Sequence, residues 1–310
     1  MSTSGATTFN LDLNNIIEEA FERCGTELRS GYDMRTARRS LNLLTIEWAN
    51  RGINLWTIEQ GQIEMVTGQG IYPVPINTID LLDHVIRQNN GVPSNQIDIN
   101  ITRISESTYS TIPNKLTTGR PIQVWYNRQS GQTNATTVYL AQSINSTDTS
   151  ITVSDASTLP IGGFVKIENE TISYANVIGN VLTNCYRGQN GTTAVGHTAS
   201  PTTLLTVQNL PSINVWPTPD AGGGPYTFVY WRLRRVQDAG TAGYVEQDIP
   251  FRLLPCMVSG LAFYLAQKLP DGQPRLQFLK SEYEEQWLMA STEDREKAAS
   301  RFVPRTTFYA

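Results

Sequence analysis

Glu168 and Glu170 stand two residues apart in a β-forming stretch, and on a strand that spacing puts both carboxylates on one face about 7 Å apart. A glycoside hydrolase could use such a pair. The competing reading is a solvated carboxylate pair, or a structural one held by Arg187. His197 follows a glycine-rich turn, but no Ser or Cys stands in a recognisable nucleophile turn beside it, so a structural hydrogen bond is the expectation. Gly222-Gly223-Gly224 precedes Pro225 and a strand, not a helix N-terminus, and so reads as a loop and not as a phosphate cradle. His84 and His197 alone cannot build a multi-histidine metal centre. Cys24, Cys185 and Cys256 are widely spaced and odd in number, and read as small buried apolar residues in a reducing compartment. The sequence therefore predicts no catalytic, cofactor-binding or metal-binding residues and no enzyme.

The arginines carry more. There are 19 of them against five lysines, and Arg makes planar, multi-donor contacts at interfaces. Arg35, Arg38 and Arg39 lie on the outer face of a predicted helix, where a solvated face, a subunit interface and a DNA contact all remain open. The C-terminal run mixes Arg301, Phe302, Arg305, Phe308 and Tyr309, and Pro304 stops any helix within it. It is either a frayed end or a segment that docks on a partner.

These residues must be positioned by a chain of 310 residues, long enough for a real core and for about two domains. A formal charge of −4 gives no reason to expect tight sequence-independent binding to nucleic acid. Met1 to Phe9 has neither positive charge nor an apolar run, so no signal peptide is expected. The longest apolar run, Leu253 to Ala266, is far short of the roughly 20 residues that span a bilayer.

Helical periodicity marks both ends. Leu13, Ile16, Ile17, Ala20, Phe21 and Cys24 form one stripe that closes at Gly25. A second helix, with Asp33 as a candidate cap, carries Met34, Ala37, Leu41, Leu44 and Trp48 and ends at Arg51-Gly52. Near the other end, Phe251, Leu254, Val258, Leu261 and Leu265 form a stripe, with Cys256, Ser259, Gly260, Ala262 and Ala266 opposite. Pro274 is expected to open a last helix with Leu276, Leu279, Tyr283, Trp287 and Ala290 inward. Between the ends, Leu55 to Val74 reads as strands and turns, and Ile79 to Ile86 as a strand or a short helix. Pro121 to Arg128 reads as a strand whose partner is Ile213 to Pro217. From about Gln132 to Gln208 helical patterning disappears, and short β-prone runs recur, with Gly179-Asn180 as a two-residue hairpin turn. The predicted fold class is α+β: an α-helical bundle core of two N-terminal and two C-terminal helices, a β-sheet region and an inserted small all-β module. The predicted division is a discontinuous core, 1–132 with 208–310, and an inserted β-rich module, 133–207.

Several strings carry a family resemblance. Ala20-Phe21-Glu22-Arg23-Cys24-Gly25, Trp48-Ala49-Asn50-Arg51-Gly52 and Val215-Trp216-Pro217-Thr218-Pro219-Asp220 occur in order, followed by Tyr230 through Gly240 and Glu293 through Ala298. In that order they are similar to the head-to-tail adaptor proteins of short-tailed bacteriophages. Within the insertion, Glu170-x-x-x-Tyr174 and Arg187-Gly188-x-x-Gly191-Thr192 resemble a β-module found in other phage virion proteins. The resemblance implies a non-enzymatic virion protein of the tail or neck region, assembled in the host cytoplasm as a ring of about twelve copies. Its implied partners are the portal protein, tail nozzle or tail fibre proteins, and other copies of itself. Double-stranded DNA would pass through without sequence-specific binding, and neither a membrane nor a cofactor is implied. The alternative is a glycan- or receptor-binding tail protein acting through the β insertion, where Tyr139, Phe164, Tyr174 and Tyr186 are the available aromatics; a cell-wall or capsule hydrolase comes third.

Overall fold

The computed structural model describes residues 5, 11–52, 55–222 and 225–294. One compact unit takes its described residues from Met1–Thr57 and Arg235–Ala310, and the other is Ile58–Arg234. The described helices are α1 (Leu13–Cys24), α2 (Gly31–Arg51), α3 (Glu106–Ser110), α4 (Leu254–Ala266) and α5 (Leu276–Glu293). Among the described residues, sixteen strands in four sheets account for most of the remaining regular structure. The expected fold class, α+β with an α-helical bundle core, is therefore overturned: the protein is mostly β-sheet, and the larger unit is almost entirely so. The long helical stripes repeat over many residues and dominate a reading by period. The short β-prone runs are strands, Ile151–Thr152 and Val181–Thr183 among them, but each is too brief to outweigh the helical stripes in a reading of the whole chain.

In the β unit, one antiparallel sheet is ordered Ile58–Glu64, Tyr226–Arg234, Thr78–Gln88, Ile97–Asn100. The segment left open between strand and helix is thus the long strand Thr78–Gln88. A second sheet is ordered Ile71–Pro73, Ser212–Trp216, Gln123–Asn127, Thr102–Arg103. Its central pair is the predicted one, with Ser212 opposite Asn127 and Asn214 opposite Trp125. Inward-facing Val124, Tyr126, Ile213 and Val215 join Ile86, Phe228 and Tyr230 in one apolar cluster. Between those two paired strands runs a five-stranded sheet ordered Tyr186–Gln189, Glu170–Tyr174, Gly163–Ile167, Ser200–Gln208, Thr133–Leu140, beside a three-stranded one. These enclose a separate apolar cluster drawn entirely from Val138 to Leu205. The hairpin at Gly179-Asn180 forms, with Ile178 opposite Val181 and Gly179 at φ +59°.

In the helical unit, Asp12 caps α1 by accepting from the Asn15 N–H at 2.8 Å, and Gly25 ends it at φ +80°. The cap of α2 is Ser30, not Asp33. Asp33 is the third residue of a reciprocal box, in which its N–H donates to Ser30 Oγ and its carboxylate accepts from the Ser30 N–H. Pro274 lies in a 3₁₀ segment, Pro270–Arg275, and α5 starts only at Leu276. Phe251 likewise belongs to a 3₁₀ turn and is exposed, so it lies off the buried stripe where its spacing placed it.

Helix α4 is buried nearly all round, and α1, α2 and α5 all pack against it. Trp48 Nε1–H donates to the Tyr283 hydroxyl at 3.1 Å, tying α2 to α5 inside this core. Arg23 of α1 reaches Glu282 of α5 at 2.7 Å, and the Arg51 guanidinium lies 4.7 Å above the Trp287 ring. Gly260 makes the close approach possible, because a Cβ there would meet Leu44 Cδ1 and Tyr283 Cε2 at 2.9 Å. Replacing Gly260 with Val should therefore overpack the unit and cost about 2–3 kcal/mol. Thermal unfolding followed by helical circular dichroism checks this: an unchanged melting temperature would show that Leu44 and Tyr283 yield freely.

Candidate functional site

The two carboxylates do not share a strand face. Ile167 pairs with Glu170, so Glu168 and Asn169 form the two-residue turn of a hairpin, with Glu168 at φ +51°. Glu170 begins the returning strand and points into the module, where it is wholly buried, while Glu168 stays exposed at the turn. His197 unites them from a different segment. Its backbone pairs both ways with Ile144 at 2.9 Å, which fixes the ring between the two side chains. Nδ1 lies 3.0 Å from Glu168 Oε2 and Nε2 lies 2.9 Å from Glu170 Oε2. Ionised carboxylates only accept, so both contacts are hydrogen bonds when the ring carries a proton on each nitrogen.

Arg187 completes the cluster with a two-pronged contact, Nε to Glu170 Oε1 at 2.8 Å and Nη2 to Oε2 at 2.7 Å. Its remaining donors go to backbone carbonyls, Nη2 to Val195 at 2.6 Å and Nη1 to Asn145. Glu170 also accepts from the Gly188 N–H at 2.9 Å and the Val195 N–H at 3.1 Å. Burial alone would raise the Glu170 pKa. The bonds from Arg187, His197 and the two backbone amides outweigh it and lower the pKa to about 2. A carboxylate with both oxygens so engaged and no exposure cannot reach a glycosidic bond. The arrangement is a clasp, joining the strand Glu170–Tyr174, the neighbouring strand Tyr186–Gln189 and the loop at 195–197.

The three cysteines are buried and unbridged, and burial pushes their thiols up, to about 11 at Cys24 and about 12 at Cys185 and Cys256. Among the described residues, no group of three or more His, Cys, Asp or Glu is placed to hold a metal ion, and no helix is long and apolar enough to cross a membrane.

Arg35 and Arg39 are exposed on α2, with Arg39 Nη2 donating to Thr36 Oγ1 at 3.3 Å, whereas Arg38 is half-buried. Arg301, Phe302, Arg305, Phe308 and Tyr309 lie outside the described residues. Arg232 and Arg234, which alternation puts on one strand face, both hold Glu59, at 2.7 and 2.6 Å. Arg103 and Arg128 share Asp80 in the same way. Much of the arginine excess is thus spent within the fold.

Two groups of residues escaped sequence reasoning. On α2, Tyr32, Leu43, Ile46 and Asn50 extend the outer face already read at Arg35 and Arg39, at three- and four-residue steps, and all are exposed. On the second sheet of the β unit, Trp125 stacks on Tyr109 of α3 with ring centroids 5.1 Å apart. The first group carries a periodic signal, which is masked because the buried stripe of the same helix has a stronger one. The second has no local signal, since Tyr109 and Trp125 meet only through the fold. No protein-family profile matches the chain, and no curated protein matches it.

Replacing Glu170 with Gln should cost about 3–5 kcal/mol by leaving Arg187 buried without its counter-charge. In the unaltered protein the Glu170 pKa lies below its ordinary 4.5, so its stabilisation is complete above that value and fades as pH falls toward about 2. Hydrogen exchange at Gly188 and Val195 is the direct measurement. Unchanged protection of these amides in the Gln variant would show that the clasp does not hold the loop.

Proposed function

We propose that this chain is a non-catalytic structural virion protein, a head-to-tail adaptor whose copies assemble into a ring below a portal, extend the DNA channel and anchor tail components. The observation that carries the reading is the outer face of α2. Tyr32, Leu43 and Ile46 are 63%, 53% and 58% exposed there, with Arg35 and Arg39 between them. Large apolar side chains repeated along one solvent-facing stripe leave unburied area that a partner would cover. Helix α5 supplies a matching face, with Phe278, Leu288 and Met289 exposed beside the carboxylate of Glu285, while Glu284 lies 3.6 Å from Arg51.

One face is apolar and basic and the other apolar and acidic, so contact between copies would be favoured head to tail. A heterologous contact of that kind closes into a ring when its rotation permits. The ordered strings similar to adaptor proteins point the same way. So does the commitment of Glu170 and His197 to a buried clasp, which removes the most reaction-like residues from contact with any substrate. A formal charge of −4 per copy favours a conduit that DNA traverses without being gripped.

Sedimentation velocity and electron microscopy, with and without portal protein, test this. The unaltered chain should form rings, and Leu43→Glu with Ile46→Glu should weaken their assembly at least about tenfold by placing charge in the contact. Arg35→Glu with Arg39→Glu should do the same and be rescued by Glu285→Arg. A chain that stays monomeric under both conditions, or a charge swap that rescues nothing, would refute the proposed contact.

A further inference from the structure

In the helical unit a groove of about 500 Å³ lies between α1 and the start of α4, a size that takes a few side chains of a peptide. Its apolar side has buried Leu254 and Val258 at the base and exposed Phe251 and Pro255 at the rim, Phe251 being 69% exposed. An uncovered phenyl ring beside buried apolar neighbours is area that a docking segment would remove from water. The other side is acidic, for α1 presents Glu18, Glu19 and Glu22. Arg23, the one basic residue among the described lining, is already spent, with Nε on Glu19 at 2.9 Å and Nη1 on Glu282 at 2.7 Å. Glu18 and Glu22 are exposed one helical turn apart and have no ion-pair partner among the described residues. Like charges at that spacing repel, and a cation set against both relieves the repulsion.

The chain itself supplies a segment of matching chemistry. Asp294, the last described residue, accepts from the Leu55 N–H at 3.3 Å and from Arg252 Nη2 at 3.4 Å, and Arg252 adjoins Phe251 of the groove. The described fold therefore ends beside the groove, and residues 295–310 fully extended would reach about 50 Å from there. From 301 to 310 the sequence holds Arg301 and Arg305 and no acid, together with Phe302, Phe308 and Tyr309. Residues 1–10 contain no charged side chain and so offer Glu18 and Glu22 nothing. We propose that residues 301–310 dock in this groove on their own copy, with Phe302 against Phe251 and Pro255 and the two arginines on Glu18 and Glu22. Arginine suits both walls, since its guanidinium pairs with carboxylates and stacks on aromatic rings. Attachment at Asp294 makes the contact intramolecular, with an effective concentration of about a millimolar, so an intrinsically weak contact is enough to fill the groove. The proposal does not depend on ring assembly, since the groove lies within one unit of one copy.

The test follows the fluorescence anisotropy of a labelled peptide of residues 299–310, titrated with the full chain and with a chain ending at Ala298. The shortened chain should bind it saturably, with a dissociation constant on the order of 100 μM or tighter, and the full chain, its groove filled, at least about tenfold more weakly. In the shortened chain, Glu18→Lys with Glu22→Lys should weaken binding about tenfold, and so should Phe251→Ala. All three positions are exposed, and circular dichroism melts accompany each variant. If the shortened chain unfolds, a full chain with Arg301→Ala, Phe302→Ala and Arg305→Ala takes its place. Sedimentation velocity reports whether the full chain is monomeric when it excludes the peptide. Exclusion by the monomer supports docking on the same copy, whereas exclusion confined to oligomers would give the segment to a second copy and overturn the proposal. No saturation of the shortened chain, equal binding by both chains, or binding that both groove variants retain would each overturn it too.

Discussion

A carboxylate removed from water must have its oxygens satisfied, and in this protein that requirement organises the larger unit. Glu170 is wholly buried and accepts from Arg187, His197 and two backbone amides. Meeting that demand takes three stretches of chain, which places the strand Tyr186–Gln189 at the edge of the five-stranded sheet. The same strand reaches the host sheets: Tyr186 Oη–H donates to the Thr67 carbonyl at 3.3 Å, and Gln69 Nε2 donates to Gln189 Oε1 at 3.0 Å. The clasp therefore does more than close one loop. It holds the strand that ties the 133–207 segment to residues 67–69 of the same unit.

Why a charged clasp here, when apolar packing of the same volume is often as stable? The 133–207 segment is rich in Thr, Ser, Asn and Gly, and its apolar cluster is built from side chains on short strands. Apolar contact is non-directional and would tolerate slippage between such strands. A guanidinium–carboxylate pair with two parallel hydrogen bonds admits one arrangement. The charges thus fix register where alternation is too brief to do so.

What the sequence revealed follows the same division between periodic and non-periodic signals. The stripes of α1, α2, α4 and α5 were legible because each repeats over three or more turns, and their buried residues are those that the spacing marks, with exposed Phe251 the exception. Termini were less legible. Asp33 and Ser30 are both good capping types, and only the geometry of the reciprocal box separates them. The pairing of 121–128 with 213–217 could be read because both runs are long enough to alternate. The fold class was misread because the clearest signal belonged to the smaller unit. Of the site, the Arg187–Glu170 pair was legible as an alternative to catalysis, but the turn at Glu168-Asn169, which sends the two carboxylates in different directions, was not. The meeting of Trp125 and Tyr109 was invisible, since neither neighbourhood resembles a site until the sheet and α3 come together.

The arginines show how far composition can carry a functional argument. An excess of Arg over Lys suggests interfaces, yet Arg23, Arg51, Arg87, Arg103, Arg187, Arg232 and Arg234 all meet carboxylates within the chain. Arg23–Glu19 and Arg51–Glu47 lie within one helix, but the other pairs join two strands, and Arg87 and Arg187 do so through a two-pronged fork that lysine could not reproduce, so much of the excess belongs to internal architecture. Arg35 and Arg39 differ because they alternate with exposed apolar side chains instead of facing acids. An arginine beside a carboxylate of its own fold has already been desolvated in part and has little left to offer a partner. One set between Tyr32, Leu43 and Ile46 retains its donors, and the apolar area around it gives a partner reason to approach. It is the neighbours of an arginine, and not the number of arginines, that distinguish a surface built for contact from one built for stability.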